Sequence, residues 1–436
     1  MLPRRSLQLI DSAPILGAGA VQDTYQLLRS GIQKLVRTAG ADSLSKTLQR
    51  KLKHYLRETK PNIDWQDPTA RRGELARMVA AADRLLAAVE GRDDYVEAAE
   101  LLRQLLDQDI DRDADDGQGP QIRQGVERDR VISTSDPEMR HGRKSKTRRF
   151  DGYKLHVTEE PDSELITAVE VTAANTSDGD VAAGPVAQAA DCGAAASQLV
   201  GDMAYGDGDT RTEVAEAGTT VVAKVPPVHN GGRLSKTDFD IDPDDPSATC
   251  PAGVTTTDLR RNGKDAKGRQ LFALVLPDDR CSACPLPSQC ISGAGPRSIS
   301  LHYHEKLLQQ ARAAQQRPAV KRKLRTRAKI ERKIDHHCHD AGARKARYRG
   351  RRKTLLQARL AAIVVNIKRL ATLEVLPEPT HRPDNAAAAP FSGTPGLAHA
   401  AGPPTRPPAA PGRHPQPHHG HRRTLPRKHH FFFAHL

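Results

Sequence analysis

The segment SQLVGDMAYGD at 197–207, read together with LQLIDSAPILGAGAVQDTY at 7–25, decides the fold. In each, a short apolar run (SQLV or LQLI) leads to an aspartate, Asp202 or Asp11. Apolar runs of this length, bounded by glycine and turn residues, read as buried strands. GYKLHV at 152–157 and LITAVEVTA at 165–173 are β-branched and separated by the polar TEEPDSE, the pattern of a β-hairpin. VAAGPVAQAADCGA at 181–194 is spaced as a helix, and TTVVAKV at 219–225 as a further strand. Strands and helices in this order, with acids at strand ends, describe an α/β core.

Outward from these strands the chain changes character several times. Residues 6–16 read as the first strand, followed by a Gly/Ala loop. Helical periodicity follows over 21–38, 43–58, 71–90 and 93–110, clearest in DDYVEAAELLRQLLDQDI, and DRDADDGQGPQ at 111–121 breaks it as a linker. Residues 228–300 are rich in Gly, Pro, Asp and Thr and hold four of the six cysteines. Helical patterns return over 301–375. From about Pro377, proline, alanine and histidine dominate, a composition unable to bury a core and expected to be disordered. FFFAHL at the end is an isolated apolar tip with no assigned role.

The 436-residue chain carries a formal net charge of +14. From Arg317 to Lys353 stand about 16 Lys and Arg against about 3 Asp and Glu, so one segment supplies nearly all of that charge. A cluster of this kind is either a solvated basic face or a nucleic-acid footprint. Within it lies RTRAKIERKIDHHCHD at 325–340, which places Glu331 on a basic helix. Two carboxylates on strands and one on a helix can converge on two Mg²⁺ ions, because Mg²⁺ prefers hard oxygen ligands. A basic surface beside them points to a nucleic-acid phosphodiester. No run has membrane-spanning length and no secretory apolar stretch opens the chain, so the expected location is the cytoplasm, on the nucleoid when bound to DNA.

Several blocks together carry a resemblance. IDSAPILGAGAVQDTYQLLR, DPEMRHGRKSKTRRFDGYKLHV, ITAVEVTAANTSD, GDMAYGD, RAKIERKI and ARYRGRRKTLLQARLAAIVVNIKRL resemble the DDE-type transposases of bacterial insertion sequences over roughly residues 6–375. The resemblance implies an RNase H-like (retroviral-integrase-like) core and metal-dependent cleavage and transfer of DNA strands. By it, Asp11, Asp202 and Glu331 are the first, second and third acids. The implied organisation is a first core strand in 1–20, a helical insertion and linker in 21–130, and core in 131–227. A Cys-rich insertion in 228–300, a helical end of the core in 301–376 and a disordered tail in 377–436 complete it. Relatives often carry Tyr, Arg, Glu and Lys around the third acid. Arg327 and Glu331 fit that pattern, whereas Leu324 and Cys338 stand where Tyr and Lys would be. Glu160 stands where relatives often have Asp, either as a supporting acid or as an exposed turn residue.

Each acid has another reading. Asp11 also suits a turn or helix cap, Asp202 competes with Asp207 and Asp209, and Glu331 has Arg327 four residues before it as an ion-pair partner. Cys250, Cys281, Cys284 and Cys290 have thiolate spacing suited to one structural Zn²⁺, with free thiols as the alternative. HHCH at 336–339 is a competing metal motif or a polar helix flank near DNA, and Cys192 reads as buried or incidental. The phosphate contacts expected are Lys144, Lys146, Arg148 and Arg149 in one basic block, and Arg327, Arg344, Lys345, Arg347 and Arg349 in the other. Double-stranded DNA, at element ends and target, is the partner implied, with a homodimer as a further assembly. Only ten residues precede Asp11. A truncated, inactive DNA-binding copy and a nuclease of the same fold therefore stand beside the transposase reading.

Overall fold

Strand β1 (Ser6–Leu16) is apolar on both faces: Leu9, Ile10, Ala13 and Ile15 are all buried. A strand of that kind belongs in the middle of a sheet covered on both sides. The computed structural model describes residues 6–40, 43–57, 61–112, 117, 119–293 and 295–373, and the expected disordered tail lies outside them. After β1 come helices α1 (Thr24–Ala39), α2 (Lys46–Leu56), α3 (Pro68–Ala88) and α4 (Val96–Asp109). The chain then forms β2 (Arg140–Arg143), β3 (Arg149–Glu160), β4 (Leu165–Ala173), α5 (Ala183–Asp191), β5 (Ala196–Val200), α6 (Gly208–Glu216) and β6 (Thr220–Val222).

These six strands make one mixed sheet. β2 and β4 share one edge of β3, and the order then runs β3, β1, β5, β6. β3 lies antiparallel to β1, from Leu9 opposite Glu159 to Leu16 opposite Gly152. β5 lies parallel to β1 with Leu9 opposite Val200, and β6 lies parallel to β5. Gly152 has φ +144, and a Cβ there would run into the carbonyl oxygen of Ile15. Only glycine permits that close approach.

Successive β1 side chains serve different layers, as the two-residue period of a strand requires. Leu9 packs with Val200, Val222 and Ile330, the last from α9 (Ala328–Asp335). Ile10 packs on the opposite side with Val186 of α5 and Val214 of α6. The α9 side is closed by α10 (Arg351–Thr372), whose Ala358, Ala362 and Val365 meet Leu155, Val157 and Val171. Asp11 follows Leu9 and shares its face, the one covered by α9.

The four helices after β1 have a core of their own. Leu27, Leu28, Ile32 and Leu35 of α1 bury against Leu101, Leu102, Leu105 and Leu106 of α4. Each such side chain contributes about 1.5–3 kcal/mol on burial, which holds the four helices together. Its exit and return are stitched together. Gln22 N donates to Ile132 O at 2.9 Å, Thr134 N donates to Gln22 Oε1 at 2.8 Å, and Arg130 pairs with Asp109 at 2.6 Å. The chain therefore leaves and re-enters beside β1 without disturbing the strand order.

Between Asp240 and Leu301 two small three-stranded sheets surround Phe239, Ile241, Ala248, Leu274, Leu276 and Ile299. Arg269 holds Asp209 of α6 through two bonds of 2.7 and 2.9 Å, and His304 Nε2 meets the same carboxylate at 2.8 Å. Those contacts hold Asp209 well below the usual carboxylate range, Arg269 contributing most, and they join this segment to the helix that follows Asp202. Helices α7 (Glu305–Gln315) and α8 (Pro318–Arg325) lead back to α9.

Candidate functional site

The register of β1 and β5 sets the site. Leu9 stands opposite Val200, and two residues further along each chain stand Asp11 and Asp202. Asp11 is not at a strand end: β1 continues to Leu16 because β3 pairs with it along that whole length. It lies just past the end of the shorter β5, so its carboxylate emerges at the notch where the parallel pairing stops. Asp202 caps a short 3₁₀ turn, accepting from Ala204 N at 2.8 Å. Glu331 comes from α9, which Ile330 anchors against Leu9 and Val200. Leu324, in the place of the expected tyrosine, joins that same apolar cluster.

Arg327 links two of the acids. Its Nη2 lies 3.5 Å from Asp11 Oδ2 and 3.5 Å from Glu331 Oε1. Burial pushes the Asp11 carboxyl up to about 6; the Ser12 amide and Arg327 oppose that rise, and the charges of Asp202 and Glu331 add to it. The fields of both other acids thus reach Asp11. Among the described residues, no three His, Cys, Asp or Glu side chains already stand as a ready-made set of ion ligands. At the acids, the guanidinium of Arg327 stands between Asp11 and Glu331.

The competing acids have other work. Asp207 caps α6 through Thr210 N at 2.9 Å, and Asp209 is held by Arg269 and His304. Glu160 is buried, not an exposed turn residue: it accepts from Asp162 N at 3.1 Å and from Ser163 N at 2.7 Å to close the β3–β4 turn. HHCH forms one π-helical turn with His337 and Cys338 turned inward, so it is neither a metal motif nor a wholly polar flank. His337 Nε2 meets Ala358 O at 2.8 Å, and Cys338 joins the core in the place of the expected lysine. Cys192 is exposed, not buried.

A layer of support behind Asp11 was not read from the sequence. Ser12 Oγ donates to Asp178 Oδ2 at 2.9 Å, and Lys154 Nζ pairs with Asp178 Oδ1 at 2.8 Å. Tyr205, fully buried three residues after Asp202, is pushed well up by burial and by the charges of Asp178, Asp11 and Asp202. These groups fix β1 and the Asp202 turn from the far side of the sheet. The lysine inside the otherwise apolar GYKLHV, and Asp178 closing ITAVEVTAANTSD, were the available signals.

The basic residues lie mostly in the open. Lys144, Lys146, Arg148 and Arg149 are exposed around the β2–β3 turn, as are Lys345, Arg347 and Arg349. Arg344 differs: its guanidinium donates to Pro14 O at 3.1 Å, and its carbonyl accepts from Leu16 N at 2.9 Å. Leu16 pairs with Gly152 on one side and bridges to Lys345 on the other, so the two basic blocks are neighbours.

Cys250, Cys281, Cys284 and Cys290 line one cavity of about 30 Å³. Val254 N donates to Cys250 Sγ and Leu286 N to Cys284 Sγ, each at 3.4 Å. Burial pushes the Cys290 thiol up, and the charges of the other three sulfurs add to the shift. Residues distant in sequence therefore converge around one small space.

Residues 249–371 match the family model described as Transposase DDE domain. The match supports a DDE-type transposase. It takes in Glu331, Arg327, all four converging cysteines and the second basic block, while Asp11 and Asp202 lie outside it. No curated protein matches the chain. A transposase domain implies DNA binding and suggests a DNA-cleaving enzyme, and domains of this kind are generally dependent on divalent metal. No helix among the described residues is long and apolar enough to cross a membrane.

Proposed function

We propose that this DDE-type transposase cleaves the ends of an insertion sequence and joins them to target DNA, with Asp11, Asp202 and Glu331 as the catalytic carboxylates. What supports this is the register that sets Asp11 and Asp202 two residues beyond the paired Leu9 and Val200, together with Arg327 lying between Asp11 and Glu331. The strand order β4-β3-β1-β5-β6, three antiparallel and then two parallel, supports an RNase H-like core. The acids fit Mg²⁺: they offer hard oxygens, and a cationic side chain already stands among them. Two bound Mg²⁺ ions supply an activated nucleophile and charge stabilisation on the leaving oxygen. Asp11, Asp202 and Glu331 would hold the ions through their carboxylate oxygens. Tyr205, Ser12 and Asp178 hold the strand of Asp11 in place from behind. A single-turnover assay on labelled duplex with Mg²⁺, scoring nicking and strand transfer separately, tests the reading. Nicking without transfer leaves a nuclease; binding without nicking leaves an inactive DNA-binding copy.

The two neighbouring basic blocks deliver the DNA backbone to the acids. Contacts of this kind are electrostatic and independent of sequence. Replacing Lys345, Arg347 and Arg349 by Gln is expected to weaken binding to all duplexes alike and to reduce the slope of log affinity against log salt by about 3. Filter-binding or fluorescence anisotropy between about 50 and 200 mM salt checks this. An unchanged slope assigns these side chains to a solvated face. Structural Zn²⁺ at Cys250, Cys281, Cys284 and Cys290 completes the reading. It rests on four sulfurs around one cavity and on amide groups already turned toward two of them.

A further inference from the structure

We propose that Arg327 is a displaceable counter-ion: its guanidinium holds the space between Asp11 and Glu331 until a divalent cation takes it, and then turns to a DNA phosphate. This rests on the metal-site reading above.

The geometry of Arg327 is that of a group held loosely. Both of its ion-pair distances are 3.5 Å. Charge-assisted bonds normally close to about 2.7–2.9 Å. The arginines Arg130 and Arg269 do close to this range, meeting Asp109 at 2.6 Å and Asp209 at 2.7 Å. Arg327 is thus shared between two carboxylates without a tight bond to either. Its Nε is buried and has no hydrogen-bond partner, so the guanidinium leaves a donor unsatisfied where it stands. A phosphate takes two parallel bonds from an arginine fork and would satisfy that donor.

The backbone permits the movement. Arg327 precedes α9 and follows the end of α8, at the junction of two helices. Its side chain is 26 % exposed, so one edge already faces solvent. Rotation about its own bonds moves the guanidinium without shifting Glu331, one turn further on. Charge then forces the exchange. A guanidinium a few ångström from a dication is strongly repelled, so cation and Arg327 exclude one another from the same gap. The freed guanidinium becomes available to DNA at the moment the acids are loaded.

The test uses the full chain without DNA. Isothermal titration with MgCl₂ is run on the wild type, R327Q, R327K and D11N. R327Q is expected to bind Mg²⁺ about fivefold more tightly, because a competing charge on a partly exposed pair is removed. R327K, which keeps the charge, is expected to stay near the wild type. In ¹⁵N spectra, the Arg327 Nε–Hε resonance, assigned by its loss in R327K, should move on adding Mg²⁺ and stay still in D11N. If D11N abolishes Mg²⁺ binding but R327Q binds no more tightly than the wild type, the counter-ion role is wrong and the metal site stands. If no variant shows binding that depends on Asp11, both fall. Should R327Q fail to fold, an Arg327 resonance indifferent to Mg²⁺ in the wild type overturns the proposal by itself.

Discussion

Asp202→Asn should abolish DNA strand cleavage while leaving duplex binding within a few-fold of the wild type. The side chain keeps its size and its cap on the 203–205 turn, so the fold has little reason to change. What it loses is a charged oxygen for a hard cation. A thousandfold or greater fall in rate, roughly 4 kcal/mol of transition-state stabilisation, is the expected scale. Asp11→Asn should be equally inactive but should differ in stability. The Asp11 carboxyl lies at about 6 in the folded chain against an ordinary value of 3.8. Between those values the folded state binds the proton and the unfolded state does not, so stability falls as pH rises through that window. The loss is at most about 3 kcal/mol. Asn removes it, so metal-free D11N should melt higher than the wild type at pH 8 and close to it at pH 4. Buried Glu159, pushed up to about 7, adds a similar slope that D11N leaves in place. Thermal melts at the two pH values and single-turnover cleavage check both statements. Normal cleavage by D202N would remove it from the site.

The apolar runs LQLI and SQLV, and the β-branched hairpin, carry enough periodicity to locate β1, β3, β4 and β5 and the helix over Val96–Asp109. They carry no register. Whether Asp11 ends its strand or stands within it depends on how far β3 runs alongside, a non-local fact. Composition misleads in the same way at HHCH: four polar or soft residues in a basic stretch suggest a surface, yet α10 covers the turn and draws His337 and Cys338 inward. Glu160 looks like a turn residue by its neighbours, and it does close a turn, but from a buried position. The Asp178–Lys154–Ser12 layer could not be assembled from sequence at all. Ser12 lies more than 140 residues before Lys154 and Asp178, with the helical bundle between.

The second large effect concerns the cysteines. Replacing Cys281 and Cys284 together by Ser should eliminate bound zinc, from close to one per chain to none, and should unfold the segment between Asp240 and Leu301. Its apolar core is small, only Phe239, Ile241, Ala248, Leu274, Leu276 and Ile299, with three of the cysteines packed against it. Structural Zn²⁺ contributes on the order of 10 kcal/mol to such small units at neutral pH. Two half-buried free thiols changed to Ser would instead cost on the order of 1 kcal/mol each and leave the segment folded. Limited proteolysis with metal analysis separates the outcomes. Acid should act like the mutation, because the Cys290 thiol, already pushed up by burial, must lose its proton to bind metal. The damage should also reach the acids. Arg269 and His304 both hold Asp209 of α6, seven residues after Asp202. Loss of the segment frees that carboxylate and loosens the turn that presents Asp202. Cleavage should therefore fall with zinc removal, and it should recover when zinc is restored to the wild type. Full cleavage by a zinc-free wild-type chain would show that the thiols fill space and hold no metal.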